Sequence, residues 1–131
     1  MGFAENLNKL CASAGEKAEM VVRRTALDLQ SQMIERSPVG TGRFRGNWQV
    51  GIGAMNTDTG SGEDKIGSSA IGRAKTVLDG WKPGQTIILS NSLPYARRLE
   101  DGWSQQAPSG MVKLTIQAYG DALQKAVESM R

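Results

Sequence analysis

The chain has 131 residues, of which 39% are hydrophobic and 22% charged, and 16 lysines and arginines against 13 acidic residues give a formal net charge of +3. This length suits a single domain over residues 1–131 with one hydrophobic core, and no apolar run approaches the roughly 20 residues that a membrane span needs. Histidine is absent and Cys11 is the only cysteine, which excludes histidine-based catalysis, histidine zinc sites and a disulfide within the chain.

The first third of the chain predicts one long amphipathic helix, from about Phe3 to Arg36. Apolar and small residues recur at steps of three and four, and charged residues mostly fall between them. Gly15 weakens this pattern, and we expect residues 1–15 to be a mobile segment ahead of the main helix. Pro38 ends the helix, because it biases Ser37 away from helical geometry. The apolar stripe consists of Leu7, Leu10, Cys11, Ala14, Ala18, Val21, Val22, Thr25, Leu29 and Met33.

A turn over residues 38–42 leads into the first predicted strand. From Phe44 to Ala54 the apolar residues fall at every second position, which is the pattern of a half-buried strand. The same alternation places Arg43 and Arg45 on the exposed face of that strand.

The middle of the chain predicts a loop, a short helix and a second strand. Residues 56–69 are rich in glycine, serine and acidic residues, so we expect an exposed, mobile loop. A short helix over residues 71–78 is predicted to end at Gly80. The second strand covers residues 85–90, and its three consecutive branched apolar residues indicate burial on both faces.

The last third predicts two more helices. A short one over residues 95–100 ends at Gly102, residues 103–108 are irregular, and a long C-terminal helix runs from about Pro108 to Met130. Gly120 interrupts the apolar stripe of that last helix. Together the elements predict an α+β domain, in which the long N-terminal and C-terminal helices pack on a small antiparallel sheet beside one or two short helices.

Few residues could carry chemistry. Cys11 lies on the apolar stripe of the first helix, where a packed thiol is a better interpretation than a nucleophile. The carboxylates are scattered along the chain, and the glycine-rich turn over residues 40–42 lacks the lysine and hydroxyl residue of a phosphate-binding loop. We therefore expect no enzyme activity, no catalytic residues, no cofactor and no metal site.

Arginines and aromatic residues are the candidates for contacts with partners. Arginines on a strand can contact phosphates, but a solvated face or salt bridges between subunits is the ordinary interpretation. Of the three tryptophans, one or two are expected in the core, and an exposed one would anchor an interface. The interaction candidates are Arg43, Arg45, Trp48, Tyr95, Arg97, Arg98, Trp103 and Met111.

The first helix also has more apolar surface than one short sheet can cover. The excess must contact another subunit or another protein, or remain frayed. This excess indicates a component of an assembly.

Two segments, SPVGTGRFRGNW at residues 37–48 and a longer run between Ser90 and Val112 that includes PYARRLEDGWS, carry a family resemblance. They resemble the tail-completion proteins of long-tailed bacteriophages, which are also called neck or head–tail joining proteins. In both segments the prolines and glycines have a physical role as helix stops and tight turns. These structural turn positions are Pro38, Gly40, Thr41, Gly42, Pro94, Gly102 and Pro108.

The resemblance implies a structural protein of the virion that acts at the head–tail junction. Copies of the chain would form a ring, commonly sixfold, around the DNA channel, and the state of an isolated subunit, including a monomer, is left open. The implied partners are the tail terminator, the tail tube or tape-measure protein, and the head connector. DNA would pass through the lumen without sequence-specific binding, no membrane is involved, and assembly would occur in the host cytoplasm.

Two other functions stay open from the residues themselves. A small enzyme or enzyme inhibitor would need a pocket with converging carboxylates. A nucleic-acid-binding module would show an affinity that falls steeply with salt. Its basic residues would be Arg43, Arg45, Arg73, Lys75, Arg97 and Arg98.

Overall fold

The computed structural model describes residues 2–107 and 109–129, and for residues 3, 8 and 10–13 it describes the backbone alone. The predictions for Pro108, for Met130 and for the Cys11 thiol therefore lie outside the described residues. The elements confirm the predicted α+β class with its small antiparallel sheet. In chain order they are α1 (Phe3–Arg36), α2 (Arg43–Gly46), β1 (Gln49–Ile52), α3 (Ser68–Asp79), β2 (Ile87–Ser90), α4 (Ala96–Glu100), α5 (Val112–Gln117) and α6 (Tyr119–Glu128).

Helix α1 has the predicted bounds and is the longest element. Its 34 residues extend about 50 Å and continue through Gly15 without interruption. The helix ends because Ser37, ahead of Pro38, adopts an extended conformation with ψ of 144°. The Ser37 hydroxyl then donates a hydrogen bond back to the Met33 carbonyl at 2.6 Å, inside the buried end of the helix.

The predicted first strand is wrong at its beginning. Residues 43–46 form the single turn α2, and the strand starts only at Gln49. The Gly46 amide donates to the Gly42 carbonyl at 2.9 Å, which closes this turn. Phe44 and Trp48 are both buried, and their spacing of four places them on one side of a helical turn as well as on one side of a strand.

The two strands pair antiparallel, with Gln49 opposite Ser90 and Ile52 opposite Ile87. Their burial is the reverse of the prediction: β1 is buried at all positions but its last, and β2 is half-buried throughout. The reason is that α3 and the loop after β1 both lie against β1. A Cβ atom on Gly51 would collide with the backbone of Ala54. The sheet has only these two strands among the described residues, so β2 keeps an open edge.

The loop over residues 53–67 has no regular secondary structure and is mostly exposed. Specific hydrogen bonds nevertheless attach it to the body of the molecule. The Ser61 amide donates to Asn47 Oδ1 at 3.0 Å, and Gln49 Nε2 donates to the Ser61 hydroxyl at 2.8 Å. Its last predicted residues, from Ser68, already belong to α3, and its mobility stays a prediction.

The predicted C-terminal helix is two helices instead of one. The chain is irregular at residues 103–107 and 109–110 and helical only from Val112. The helix breaks at Ala118, whose amide is shared between the Leu114 and Thr115 carbonyls. Helix α6 then packs against α1, with the small side chains of Ala122 and Ala126 buried.

Two clusters form the core. The first joins α1, α2 and α3 to the segment that follows β2, and the second lies between α1, α3 and the sheet. The buried members of the first are Met33, Ile34, Phe44, Trp48, Ala70, Leu93, Ala107 and Met111. Those of the second are Ala26, Val50, Ala74 and Leu78.

Candidate functional site

The segments at 37–48 and 91–112, which carry the resemblance, pack directly against each other, and we call this region the motif junction. The Phe44 ring lies edge-on to the Trp48 ring, with 5.8 Å between their centroids, and 6.0 Å from the Tyr95 ring. Such aromatic pairs add to the stability that burial alone provides.

Polar contacts also join the two halves of the motif junction. Gln106 Oε1 accepts a hydrogen bond from the Val39 amide at 2.9 Å. Asn91 Nδ2 donates to the Phe44 carbonyl, also at 2.9 Å. The two segments are far apart in the chain, so these contacts fix the turn after α1 against the segment after β2.

Arg45 holds the end of α1. Its guanidinium donates to three backbone carbonyls, those of Ser37 at 3.0 Å, Lys65 at 2.9 Å and Glu35 at 2.8 Å. Two of these carbonyls lie at the C-terminal end of the helix, where the helix dipole favours a positive charge. The prediction that Arg45 faces outward on a strand is wrong, because its donors are directed to these carbonyls.

Trp48 is buried in the junction with 4% of its surface exposed. Its indole nitrogen donates to the Ser37 hydroxyl at 2.8 Å, so this large side chain leaves no buried polar atom unsatisfied. Trp48 is therefore one of the tryptophans in the core, where one or two were expected.

The predicted turn glycines have positive φ angles where the backbone comes closest to the loop. Gly42 has φ of 86°, and a Cβ atom there would lie 2.5 Å from the Lys65 amide nitrogen. The Asp64 amide donates to the Gly42 carbonyl at 2.9 Å. Thr41 accepts a hydrogen bond from the Arg43 amide at 3.3 Å, which is the local role predicted for it. Gly40, at φ of 46°, has open space around it.

Asp64 caps helix α3. One carboxylate oxygen accepts from the Gly67 amide at 2.9 Å and the other from the Ala70 amide at 3.0 Å. A carboxylate at a helix N-terminus satisfies amides that the helix itself leaves free. This residue was missed in the sequence, where it is one acid in a polar loop.

Glu100 caps helix α5 in the same way. Its Oε1 accepts from the amides of Met111 at 2.8 Å and Val112 at 2.9 Å, and its Oε2 accepts from the Lys113 amide at 2.9 Å. Gly110, at φ of 82°, allows this approach, because a Cβ atom there would lie 2.6 Å from the Glu100 carbonyl oxygen. Glu100 therefore stabilises the fold, and its bonded oxygens are not free for acid–base chemistry.

The other predicted turn positions are also structural. The Ala96 amide donates to the Leu93 carbonyl at 3.0 Å, which starts α4 just after Pro94. Gly102, at φ of 90°, ends that helix as predicted.

The aromatic and methionine interaction candidates divide between core and surface. Met111, at 1% exposure, lies in the core together with Trp48, and neither presents a surface to a partner in this conformation. Tyr95 is half-buried in the junction. Trp103 is 72% exposed, and the Arg98 guanidinium lies 4.9 Å from its ring centroid. Trp81 is buried, so two of the three tryptophans are core residues and one is at the surface.

The candidate basic residues do not form one exposed basic surface, because some of them are bonded within the fold. Arg73 donates to the carbonyls of Gly46 at 2.7 Å and Trp48 at 3.0 Å, so it is engaged within the fold like Arg45. Lys75 forms an exposed ion pair with Asp79 at 2.9 Å. Among the basic interaction candidates, Arg43, Arg97 and Arg98 remain exposed.

A long apolar groove lies between α1, β2 and the last two helices. It consists of two adjoining depressions of about 350 and 230 Å³ that share Leu29, Leu89 and Tyr119. The groove wall formed by α5 and α6 carries large exposed side chains, with Ile116 the most exposed at 66%. The further lining residues are Val22, Thr25, Ala26, Met33, Ile87, Val112, Thr115, Ile116 and Leu123.

The lining of this apolar groove contains no acidic residue, so it suits apolar contact and not acid–base chemistry. Within residues 2–107 and 109–129, no group of acidic or cysteine side chains could hold a metal ion. No helix in the same described part of the chain combines the length and the hydrophobicity that crossing a bilayer requires.

The comparison with known families agrees with the resemblance. Residues 2–102 match the model of the HK97-gp10-like family, described as "Bacteriophage HK97-gp10, putative tail-component". Neither a curated protein nor a solved structure matches the chain. The match covers most of the chain, including α1, the turn after it, the sheet and α4. The chain therefore belongs to the HK97-gp10-like family of bacteriophage tail components.

Proposed function

We propose that this protein is a non-enzymatic structural protein of a phage virion that acts at the head–tail junction, as a tail-completion or neck protein. Its copies form a ring around the DNA channel and work by protein–protein contacts. The ring contacts the tail terminator, the tail tube or tape-measure protein, and the head connector. DNA passes through the lumen without sequence-specific binding.

The observation that carries this proposal is the apolar groove in a chain that belongs to a family of tail components. Leu123 and Ile116 are exposed on one wall, and Val22 is exposed on the other. Grooves lined by exposed apolar side chains are places where proteins commonly bind a helix of another protein. The groove lacks acidic residues and the Glu100 and Asp64 carboxylates are used as helix caps, so the site supports assembly better than catalysis.

The test is a phage in which the gene for this chain is deleted. We expect infected cells to accumulate DNA-filled heads and complete but separate tails, which electron microscopy can count. Purified protein added to such an extract should join them. Deletion particles that remain joined and infectious would contradict the proposal. Infected cells without any complete tails would also contradict it, because they would show that the protein acts in tail assembly and not in joining.

The matched control is the same deletion phage supplied with the intact gene from a plasmid. Restored joining shows that the defect comes from the missing protein and not from an effect on neighbouring genes. The neighbouring genes themselves give a faster check, since genes for portal, capsid and tail-tube proteins are expected beside this one.

A further inference from the structure

The first half of α1 lies outside the packed body of the molecule. Every side chain that the structure describes between residues 4 and 18 is exposed. From Thr25 onward the same helix contributes buried residues to both core clusters. We call residues 4–18 the N-terminal arm; it extends about 20 Å along the helix axis.

The N-terminal arm carries an apolar stripe in its sequence. Leu7, Leu10, Ala14 and Ala18 follow one another at steps of three and four, which places them on one side of a helix. Leu7 is 48% exposed. Most of the stability of a helix in a protein comes from packing of such a face. The stripe side chains that the structure describes in the arm, Leu7, Ala14 and Ala18, are exposed instead of packed within their own chain.

The apolar groove has the dimensions that the arm needs. Leu7 and Ala18 are eleven positions apart, and so are Val22 and Met33 on the groove wall formed by α1, which is about 16 Å along a helix in both cases. Placing an amphipathic helix in an apolar groove is a common way for proteins to recognise each other. Thr25, the one polar side chain on the α1 wall of the groove, is buried, so this wall presents apolar surface.

The arm cannot reach the groove of its own chain. Both belong to the same uninterrupted helix, and a straight helix cannot fold back onto its own side. The occupant must therefore come from another molecule, and a second copy of this chain has a stripe of matching length whose described side chains are exposed.

We propose that the N-terminal arm of one copy occupies the apolar groove of the next copy. Arm and groove are different surfaces, so the contact is heterologous and repeats from copy to copy, and it closes into a ring when the rotation between copies permits. This inference rests on the proposed function, since it specifies the contact by which the ring forms.

The test uses two variants mixed together, both with Cys11→Ser so that each carries one cysteine. One has Leu7→Cys in the arm, and the other has Leu123→Cys in the groove. A disulfide requires Cα atoms within about 7 Å, so oxidation should produce a linked heterodimer only where arm and groove meet. Ala14→Cys and Ile116→Cys provide a second arm site and a second groove site, so that different positions of the arm along the groove are detected.

The matched control places the groove cysteine elsewhere, as Thr76→Cys on the exposed side of α3. Heterodimer yields with Leu123→Cys or Ile116→Cys should exceed the control yield at least tenfold. The mixtures are oxidised both as purified protein, up to about 1 mM so that a weak contact is detected, and in particles from cells that express both variants. Yields equal to the Thr76→Cys control in both settings overturn the inference.

Charged variants give an independent measurement. Leu7→Glu and Leu123→Glu change exposed side chains, so circular dichroism should show an intact fold. Each should abolish self-association in sedimentation, and a mixture of the two should form heterodimers, because only one intact arm and one intact groove remain. A phage with Leu7→Glu that joins heads and tails normally overturns this inference alone, whereas a deletion phage that does so overturns the proposed function as well.

Discussion

The motif junction and the apolar groove are built in opposite ways. In the junction, the polar groups of Arg45, Trp48 and Glu100 have partners inside the chain. In the groove, large apolar side chains such as Ile116 remain exposed. The difference teaches that the residues by which the family is recognised build the fold, and that the surface we propose for partners lies beside them. Part of that surface, on α5 and α6, lies beyond residues 2–102, where the family match ends.

The largest effect should come from breaking the junction at its centre. Trp48→Ala removes a buried ring and its hydrogen bond to Ser37, and should lower the free energy of unfolding by about 3–5 kcal/mol. Denaturant unfolding measures this loss. The control is Trp103→Ala at an exposed position, where a change within about 0.5 kcal/mol is expected. Equal losses from both tryptophans would show that Trp48 is not part of the core.

A smaller loss is expected when the cap of α5 is removed. Glu100→Ala deletes three hydrogen bonds from a charged acceptor and should cost about 2 kcal/mol, less than a full core substitution because the freed amides gain some contact with water. Thermal and denaturant unfolding both report it. Asp101→Ala changes the exposed neighbouring acid and should leave stability nearly unchanged. If the two variants unfold alike, Glu100 is not a cap in solution.

The cap of α3 should contribute less. Asp64→Ala removes acceptors for the Gly67 and Ala70 amides at a position near the surface, and a loss of about 1 kcal/mol is expected, as for other helix caps. Hydrogen exchange of the first amides of α3 should increase in parallel. Glu63→Ala, next to it and exposed, serves as the reference. Unchanged exchange in Asp64→Ala would contradict the cap.

The smallest effect on stability is expected in the groove. Leu123→Ser exchanges an exposed leucine and should change the free energy of unfolding by less than about 0.5 kcal/mol. The number of joined particles should nevertheless fall in phage that carry it, as electron microscopy can count. A variant with normal joining would show that the groove is not an assembly surface, and the contrast between the two regions would then fail.

The parts of the fold that local signals determine could be predicted from the sequence. The bounds of α1 follow from its periodicity and from Pro38, and the end of α3 follows from Gly80. The single turn of α2 was missed because Phe44 and Trp48, four positions apart, satisfy the period of a strand and of a helix equally.

The rest depends on contacts between distant residues. Glu100 and the amides that donate to it are 11 to 13 positions apart, and no local pattern joins them. The break at Ala118 occurs at the residue with the highest helix propensity, so tertiary packing overrides the local preference there. The C-terminal helix was predicted to pack on the sheet, yet α6 packs against α1 through the small Ala122 and Ala126, and Leu123 remains exposed.

The continuity of α1 has a mechanical consequence. Because the helix has no break, a tilt of about 10° at the point where the arm of about 20 Å leaves the packed body would displace the far end of the arm by about 4 Å. A molecule that binds the arm therefore also orients the core of the same subunit, because α1 contributes to that core. It orients the apolar groove as well, because α1 forms one wall of the groove. If the arm of each subunit binds the groove of the next, this coupling would orient the groove of each added subunit for the arm of the following one. The angle between neighbouring subunits would then stay the same from copy to copy.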